Sequence, residues 1–274
     1  MRGAQVNKLI VVAAAVTALA AAPAAHAAAG FKAKRMTLSV ELTGIHVVDW
    51  HVQDPNYPDP LTSWVVGKGT QTLGFSTRRP VRFKATAFSG RVPGGQSLPA
   101  LVLQPQAAPR PLKGSLRRKG SWKYNDDSIC DREGGCDDSV LVPPVHLPAS
   151  CPARTVQVPA VVDVSASGGN PASQMLFAKF NGPLQLDGLW SNCPPDMDAV
   201  KRPLALAQPP ATLSFGRGAK RVARMRRGST LTLKTQVERG ATDGVISGSC
   251  PKLAGPGQQE CAVTDLTLEI KRVR

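Results

Sequence analysis

Catalytic signatures are what this sequence most plainly lacks. No HExxH pair, Walker A loop or GxGxxG turn occurs in its 274 residues. The nearest approach to a nucleophile elbow, Gly244-Val245-Ile246-Ser247-Gly248, carries its serine one place late for GxSxG. Aromatic residues make up only 5% and histidines number four, so imidazole chemistry and aromatic cages have little material to draw on. CxxC pairs are missing, and His46, His51 and His146 are not spaced as ligands beside the cysteines, which argues against zinc. Beyond residue 22 no apolar run approaches the ~20 residues of a membrane-spanning helix. These absences leave no catalytic, cofactor-binding or metal-ligating residue to name, and no enzyme class to expect.

What is present begins with an export signal. Arg2 and Lys8 form a positive start, Leu9 to Ala22 is uncharged and apolar, Pro23 breaks the helix, and Ala25-His26-Ala27 offers small residues where a signal peptidase reads. Cleavage is expected after Ala27, with Ala29 as the second choice. The competing reading is an N-terminal anchor, against which the run is too short. The expected location is therefore secreted or cell envelope, with no membrane span in the mature chain. Processing leaves about 245 residues, enough for one large β domain or two small ones.

All six cysteines, Cys130, Cys136, Cys151, Cys193, Cys250 and Cys261, follow the signal. An even count in an oxidising compartment reads as disulfides. Proximity suggests Cys130–Cys136, Cys151–Cys193 and Cys250–Cys261, although six cysteines allow other pairings. The chain-entropy model gives roughly 2–3 kcal/mol for each short loop and about 4 for the middle one.

The secondary-structure signal has period two. Met36, Leu38, Val40 and Leu42 alternate with polar residues, as do Val81, Phe83, Ala85 and Ala87. The pattern returns at Val156–Val164, where Pro159 marks an edge or a bulge, at Leu231–Val237, and at Leu266–Ile270. Turn clusters such as Pro93-Gly94-Gly95 separate these runs, and 24 prolines with 25 glycines leave little room for long helices. The pattern predicts an all-β chain, an antiparallel β-sandwich or barrel-like architecture with long Pro/Gly-rich loops and disulfides. The first and last strands match in length and polarity and are expected in one sheet. Patterning is weakest between about 104 and 150, so the expected division is a signal at 1–27, an N-terminal β part at 28–125, an acidic and Pro-rich loop or linker at 126–150, and a C-terminal β part at 151–274. The two β parts can still share one domain.

Charge is the strongest surface feature. Loss of Arg2 and Lys8 with no acid takes the formal charge from +15 to +13. Arg217, Lys220, Arg221, Arg224, Arg226 and Arg227 form one acid-free group, the candidate polyanion contact. Arg110, Lys113, Arg117, Arg118 and Lys119 form a second, with Trp122 and Lys123 beyond. Such groups attract polyanions by counterion release with no sequence readout. The expected partners are anionic envelope polymers or polysaccharide, with no specific nucleic-acid binding. The plainer reading is arginine on solvated faces.

Two further segments carry chemistry. Asp126, Asp127, Asp131, Glu133, Asp137 and Asp138 surround the Cys130–Cys136 loop and could offer calcium hard oxygens, although their spacing is not that of an EF-hand. Between Asp49 and Trp64 lie Trp50, His51, Tyr57 and Trp64 with Asp49, Asp54 and Asp59. Trp50, Tyr57 and Trp64 are candidate sugar contacts, and paired carboxylates could serve glycoside hydrolysis. The structural alternative is a loop whose tryptophans pack down on the core.

The segments Leu38-Ser39-Val40-Glu41-Leu42-Thr43-Gly44, Gly67-Lys68-Gly69-Thr70-Gln71-Thr72-Leu73, Ser76-Thr77-Arg78-Arg79-Pro80-Val81 and Leu266 to Arg274, behind a signal ending Ala-His-Ala, resemble those of exported proteins of actinobacterial type. That resemblance implies export and a β-rich fold and carries no activity.

Overall fold

A computed structural model describes residues 32–58, 64–89, 101–106, 111–125, 145–167, 174–181 and 204–274. The expected export signal, the acidic residues 126–138, Asp59, Arg110, Cys130 and Cys136 lie outside the described residues, as do Cys193 and the Cys151 side chain.

Among the described residues the chain forms β1 (Lys32–Gln53), β2 (Trp64–Ser76), β3 (Val81–Ser89), β4 (Leu101–Pro105), β5 (Pro111–Asn125), β6 (Val145–Ser167), β7 (Met175–Asn181), β8 (Thr212–Ser214), α1 (Gly218–Ala223), β9 (Thr230–Thr242), β10 (Val245–Ser247) and β11 (Gly257–Arg272). The architecture is all-β, as the period-two pattern predicts. The strands join one sheet in the order β10-β9-β11-β1-β2-β5-β6-β7-β8, with β3 added to β1 and β4 to β3. The pairings are antiparallel.

β1 is the spine. It pairs with β11 along one edge from Leu38 to Gln53, and on its other edge with β3 and then β2. The expected meeting of first and last strands is thus present. Every second residue from Met36 to Val52 faces inward, and all but Gly44 are buried. The strand runs past Leu42, where the apolar pattern stops, because the change there is chemical and not geometric. Gly44 and His46 turn inward while Ile45 and Val47 turn outward, so apolar alternation fades although the pleat continues.

One core cluster draws on residues from both ends of the sheet. Phe75 of β2 meets Phe180 of β7 edge-on at 5.4 Å. Gly218 of α1 sits so close that a Cβ there would lie 2.8 Å from Leu233 of β9 and 3.3 Å from Leu176 of β7. The sheet therefore coils into a barrel-like wrap whose terminal strands share an interior. A smaller cluster, with Val48, Trp50, Val52, Leu204 and Leu206, fills the far end.

One sequence expectation needs correction, at the far end of the expected loop. Residues 111–125, the weakly patterned end of the N-terminal β part, form β5 inside the sheet between β2 and β6. Its inward residues include Gly114, Arg118 and Gly120 beside Leu112 and Leu116, which erases apolar alternation. Residues 145–150 likewise belong to β6. Strands β1, β2 and β5 sit between β11 on one side and β6 on the other, both from the C-terminal part, so the proposed boundary does not separate two sheets. At Pro159 the expected irregularity is a bulge: the β5–β6 register shifts between Leu112↔Val158 and Pro111↔Val161.

Edge strand β4 is held by a side chain acting as a strand. The buried Gln174 amide accepts from Leu101 N–H at 2.9 Å and donates to Leu101 C=O at 2.7 Å. Replacing it by Leu strands both backbone groups. Gln174→Leu is expected to lower the unfolding free energy by about 2–4 kcal/mol in a denaturant titration.

Candidate polyanion-binding surface

The basic group at 217–227 is built by α1 and the turn after it. Gly218, Ala219 and Val222 are buried beneath the helix, so Arg217, Lys220, Arg221 and Arg224 are left on its exposed side, with Arg226 and Arg227 following. The turn is tied to the end of β11. Gly228 N–H donates to Arg272 C=O at 2.9 Å, and Arg272 N–H donates to Ser229 C=O at 3.0 Å. β11 in turn is tied to β1, with Val273 N–H on Thr37 C=O at 2.9 Å.

This stitching gathers cations that are far apart in sequence. Lys34 Nζ donates to Met225 C=O at 3.2 Å, and Arg272 donates to the same oxygen at 2.7 Å. Exposed Arg35, Arg82, Lys84 and Lys271 stand on neighbouring strands of the same pole, because Ser39 pairs with both Arg82 and Lys271 and Thr37 pairs with Lys84. The sequence signal for Arg82 and Lys84 is the polar half of the 81–87 alternation. Nothing in that alternation says which strand they lie beside.

The second basic stretch divides by parity. Lys113, Arg117 and Lys119 of β5 point outward and are exposed, whereas Arg118 turns inward and is 3% exposed. Grouping Arg118 with the surface cations is therefore corrected. Its guanidinium lies 5.4 Å from the centre of the Trp50 ring. Burial pushes its pKa down to about 10, an effect that the Glu260 carboxylate opposes.

Among the described residues, the aromatic and acidic groups of the segment 49–64 do not form one site. Asp49, Trp50 and His51 are part of β1, not a loop. Trp50 is 2% exposed on the inner face, where its ring lies across Gly69 and Gly120. A Cβ at Gly69 would overlap the Lys119 carbonyl oxygen and the indole, so glycine is required there by close approach. Trp64 is 4% exposed on the other face, edge-on to Tyr57 at 4.9 Å and beneath Lys123. The two tryptophans are thus on opposite faces, and neither presents an open ring to a sugar. The packed-down alternative describes them better. Asp49 accepts a hydrogen bond from Thr70 Oγ1 at 2.5 Å, and Asp54 accepts from Asn56 N–H at 2.9 Å.

A cleft of about 360 Å³ opens at this end of the sheet, with Val52, Asp54, Val65, Asp243 and Gln258 in its wall. Both carboxylates already accept backbone N–H groups, Asp54 from Asn56 within its own turn and Asp243 from Gln258 of β11 at 2.7 Å.

Sequence reasoning missed a buried polar set on the inner face. Glu260, 1% exposed, accepts from Ala205 N–H at 2.9 Å, Leu206 N–H at 2.8 Å and Gln258 Nε2 at 2.7 Å. His46 Nε2–H donates to Leu206 C=O at 2.7 Å, which leaves Nδ1 to accept from the Thr264 hydroxyl at 2.8 Å. Gln71 donates to Ala207 C=O at 3.3 Å and Arg239 to Gln208 C=O at 3.0 Å. Four strands thus grip the backbone of one short turn, 205–208. Burial lowers the His46 pKa from 6.5 to about 4, with Arg239 adding to the shift and the Leu206 bond opposing it. A neutral, fully bonded imidazole between a carbonyl and a hydroxyl is a structural part. The same holds for Glu260, whose oxygens are committed to N–H donors.

The Cys250–Cys261 bridge is present, with Cα atoms 4.8 Å apart. It clips the 249–251 segment over β9 at Gly240, where a Cβ would strike the Ser249 carbonyl oxygen. Among the described residues, Glu238 with these two cysteines is the one group near metal-ligand spacing. Sulfurs joined to each other cannot act as thiolate ligands.

Compared with known proteins, the chain matches no family model and no curated protein sequence.

Proposed function

We propose that this is an exported, envelope-associated binding protein that contacts anionic polymers through its basic pole. The observation that carries the reading is the convergence of the 217–227 cations with Arg35, Arg82, Lys84 and Lys271 on one end of a rigid sheet. Solvated arginines scattered over all faces would need no such stitching. A gathered patch raises the local potential and exchanges bound counterions for a polyanion. The Ala-rich leader and the resemblance to exported actinobacterial-type proteins support the compartment, and the Cys250–Cys261 bridge suits an oxidising one.

The test is co-sedimentation of the mature protein with an anionic cell-wall fraction across a salt series, beside an unrelated protein of equal charge. Retention is expected to exceed the control. In the combined variant Arg224→Gln, Arg226→Gln, Arg227→Gln, the slope of log affinity against log salt should fall by about 2–3, from roughly 0.7–0.9 per lost contact. Release of wild type, variant and control at the same salt would sink the reading.

A further inference from the structure

We propose that the outer face of β2 and β5 holds a linear polyol-phosphate polymer, laid in extended form along β5. This deepens the envelope-binding reading and rests on its premise that the partner is an anionic polymer. It uses a different surface from the basic pole.

The carrying observation is a ladder of cations. Outward positions of β5 recur every second residue: Lys113, Ser115, Arg117, Lys119, Ser121 and Lys123. Lys68 of β2 pairs with Ser121 and so supplies the missing charge at that level. From Arg117 to Lys123 each rung then carries a cation, with Lys113 beyond a single hydroxyl rung at Ser115. Lys113, Arg117, Lys119 and Lys68 are exposed. Lys123 is half-buried, with its ammonium 5.9 Å from the Tyr57 ring centre and 5.6 Å from that of Trp64, which fixes one end of the ladder.

The spacing selects a ligand class. Residues on one face of a strand recur at roughly 6.4–6.8 Å. A peptide residue spans at most about 3.3–3.6 Å with three backbone bonds, so a repeat of six such bonds spans about 7 Å when extended. A glycerol-type phosphodiester has six backbone bonds per repeat, which brings one phosphate to each rung. Polyuronates hold their carboxylates at intervals set by rigid rings, and these cannot extend to follow a strand.

The surroundings favour a polymer without bases. Proteins that hold single-stranded nucleic acid stack bases on aromatic faces. Among the described side chains, the aromatic rings on this face are Trp64, which is buried, and the half-buried Tyr57 packed on it at the Lys123 end, and none lies along the ladder from Lys113 to Lys119. Thr70, Thr72, Ser115 and Ser121 instead line the ladder with hydroxyls suited to a polyol. Across the sheet from Lys119, the Asp49 carboxylate is separated from that lysine by Thr70, which donates to the carboxylate.

The test titrates the mature protein with poly(glycerol phosphate), with polygalacturonate of matched charge, and with oligothymidylate, at low and moderate salt. A ladder variant, Lys113→Gln, Arg117→Gln, Lys119→Gln, is compared with the pole variant above. These side chains are exposed, so both variants should keep the wild-type melting temperature. Wild type should prefer poly(glycerol phosphate). The ladder variant should lose about a hundredfold in affinity for it near 50 mM salt, and about 2 from the salt slope. An unchanged affinity in the ladder variant, with a loss in the pole variant, overturns the ladder and leaves the envelope-binding reading standing. Equal wild-type affinity for all three polymers, or preference for oligothymidylate or polygalacturonate, overturns the polyol-phosphate assignment. No binding to any of them by wild type removes both proposals.

Discussion

Glu260→Ala is expected to lower the unfolding free energy by about 3–5 kcal/mol, a large share of the stability of an ordinary domain. Two effects add. The carboxylate receives the N–H groups of Ala205 and Leu206, and stranding a buried donor costs about 1–3 kcal/mol. It also supports the charge of Arg118, which is buried at 3% exposure. Removing one member of such a pair leaves an uncompensated ion, whereas removing both costs far less. Arg118→Met combined with Glu260→Ala should therefore be milder than the sum of the two single substitutions. Guanidinium titrations of the four proteins form a double-mutant cycle, and the coupling should exceed about 1 kcal/mol. A cycle that closes to zero would show that Glu260 acts only through the 205–206 turn.

Stability should fall by about 3 kcal/mol between pH 7 and pH 4 through His46 alone. The sign follows from its pKa, lowered by burial from 6.5 to about 4 in the folded chain. Above pH 6.5 the imidazole is neutral in both states and contributes no pH dependence. Between about 6.5 and 4 the unfolded chain binds a proton that the folded chain refuses, so acid favours unfolding. Below about 4 the folded ring is protonated too, and that contribution levels off. Burial withholds the water that would solvate a charged ring, and the neighbouring Arg239 opposes a second positive charge. Denaturant midpoints measured at half-unit steps should show this slope in the wild type and a flatter curve in His46→Gln over the same window. Parallel curves for the two proteins would assign the acid sensitivity to carboxylates instead.

The two large effects concern residues that no local pattern groups. His46 and Glu260 lie more than two hundred positions apart, and each reads locally as an ordinary polar residue in a strand. They meet because β1 pairs with β11 in a register that sets His46 opposite Thr264 and Trp50 opposite Glu260. Arg118 reads as a surface cation since its neighbours Arg117 and Lys119 are basic, and only the pleat separates them. Trp50 and Trp64 read as one aromatic cluster for the same reason, although strand parity sends them to opposite faces.

By itself the sequence determined the all-β class, the alternating core of the strands at 36–42, 81–87 and 266–270, and the excess of positive charge, and it suggested the Cys250–Cys261 pairing that the structure contains. Each of these depends on residues a few positions apart, where backbone geometry alone decides direction. Tertiary structure decided the rest: the continuation of β1 through Gly44 and His46, the inner place of β5, the polar grip on residues 205–208, and the gathering of cations at one pole and along one face. Those depend on which strands lie side by side, and strand order is chosen by burial of the whole apolar surface. No short window of sequence carries that information.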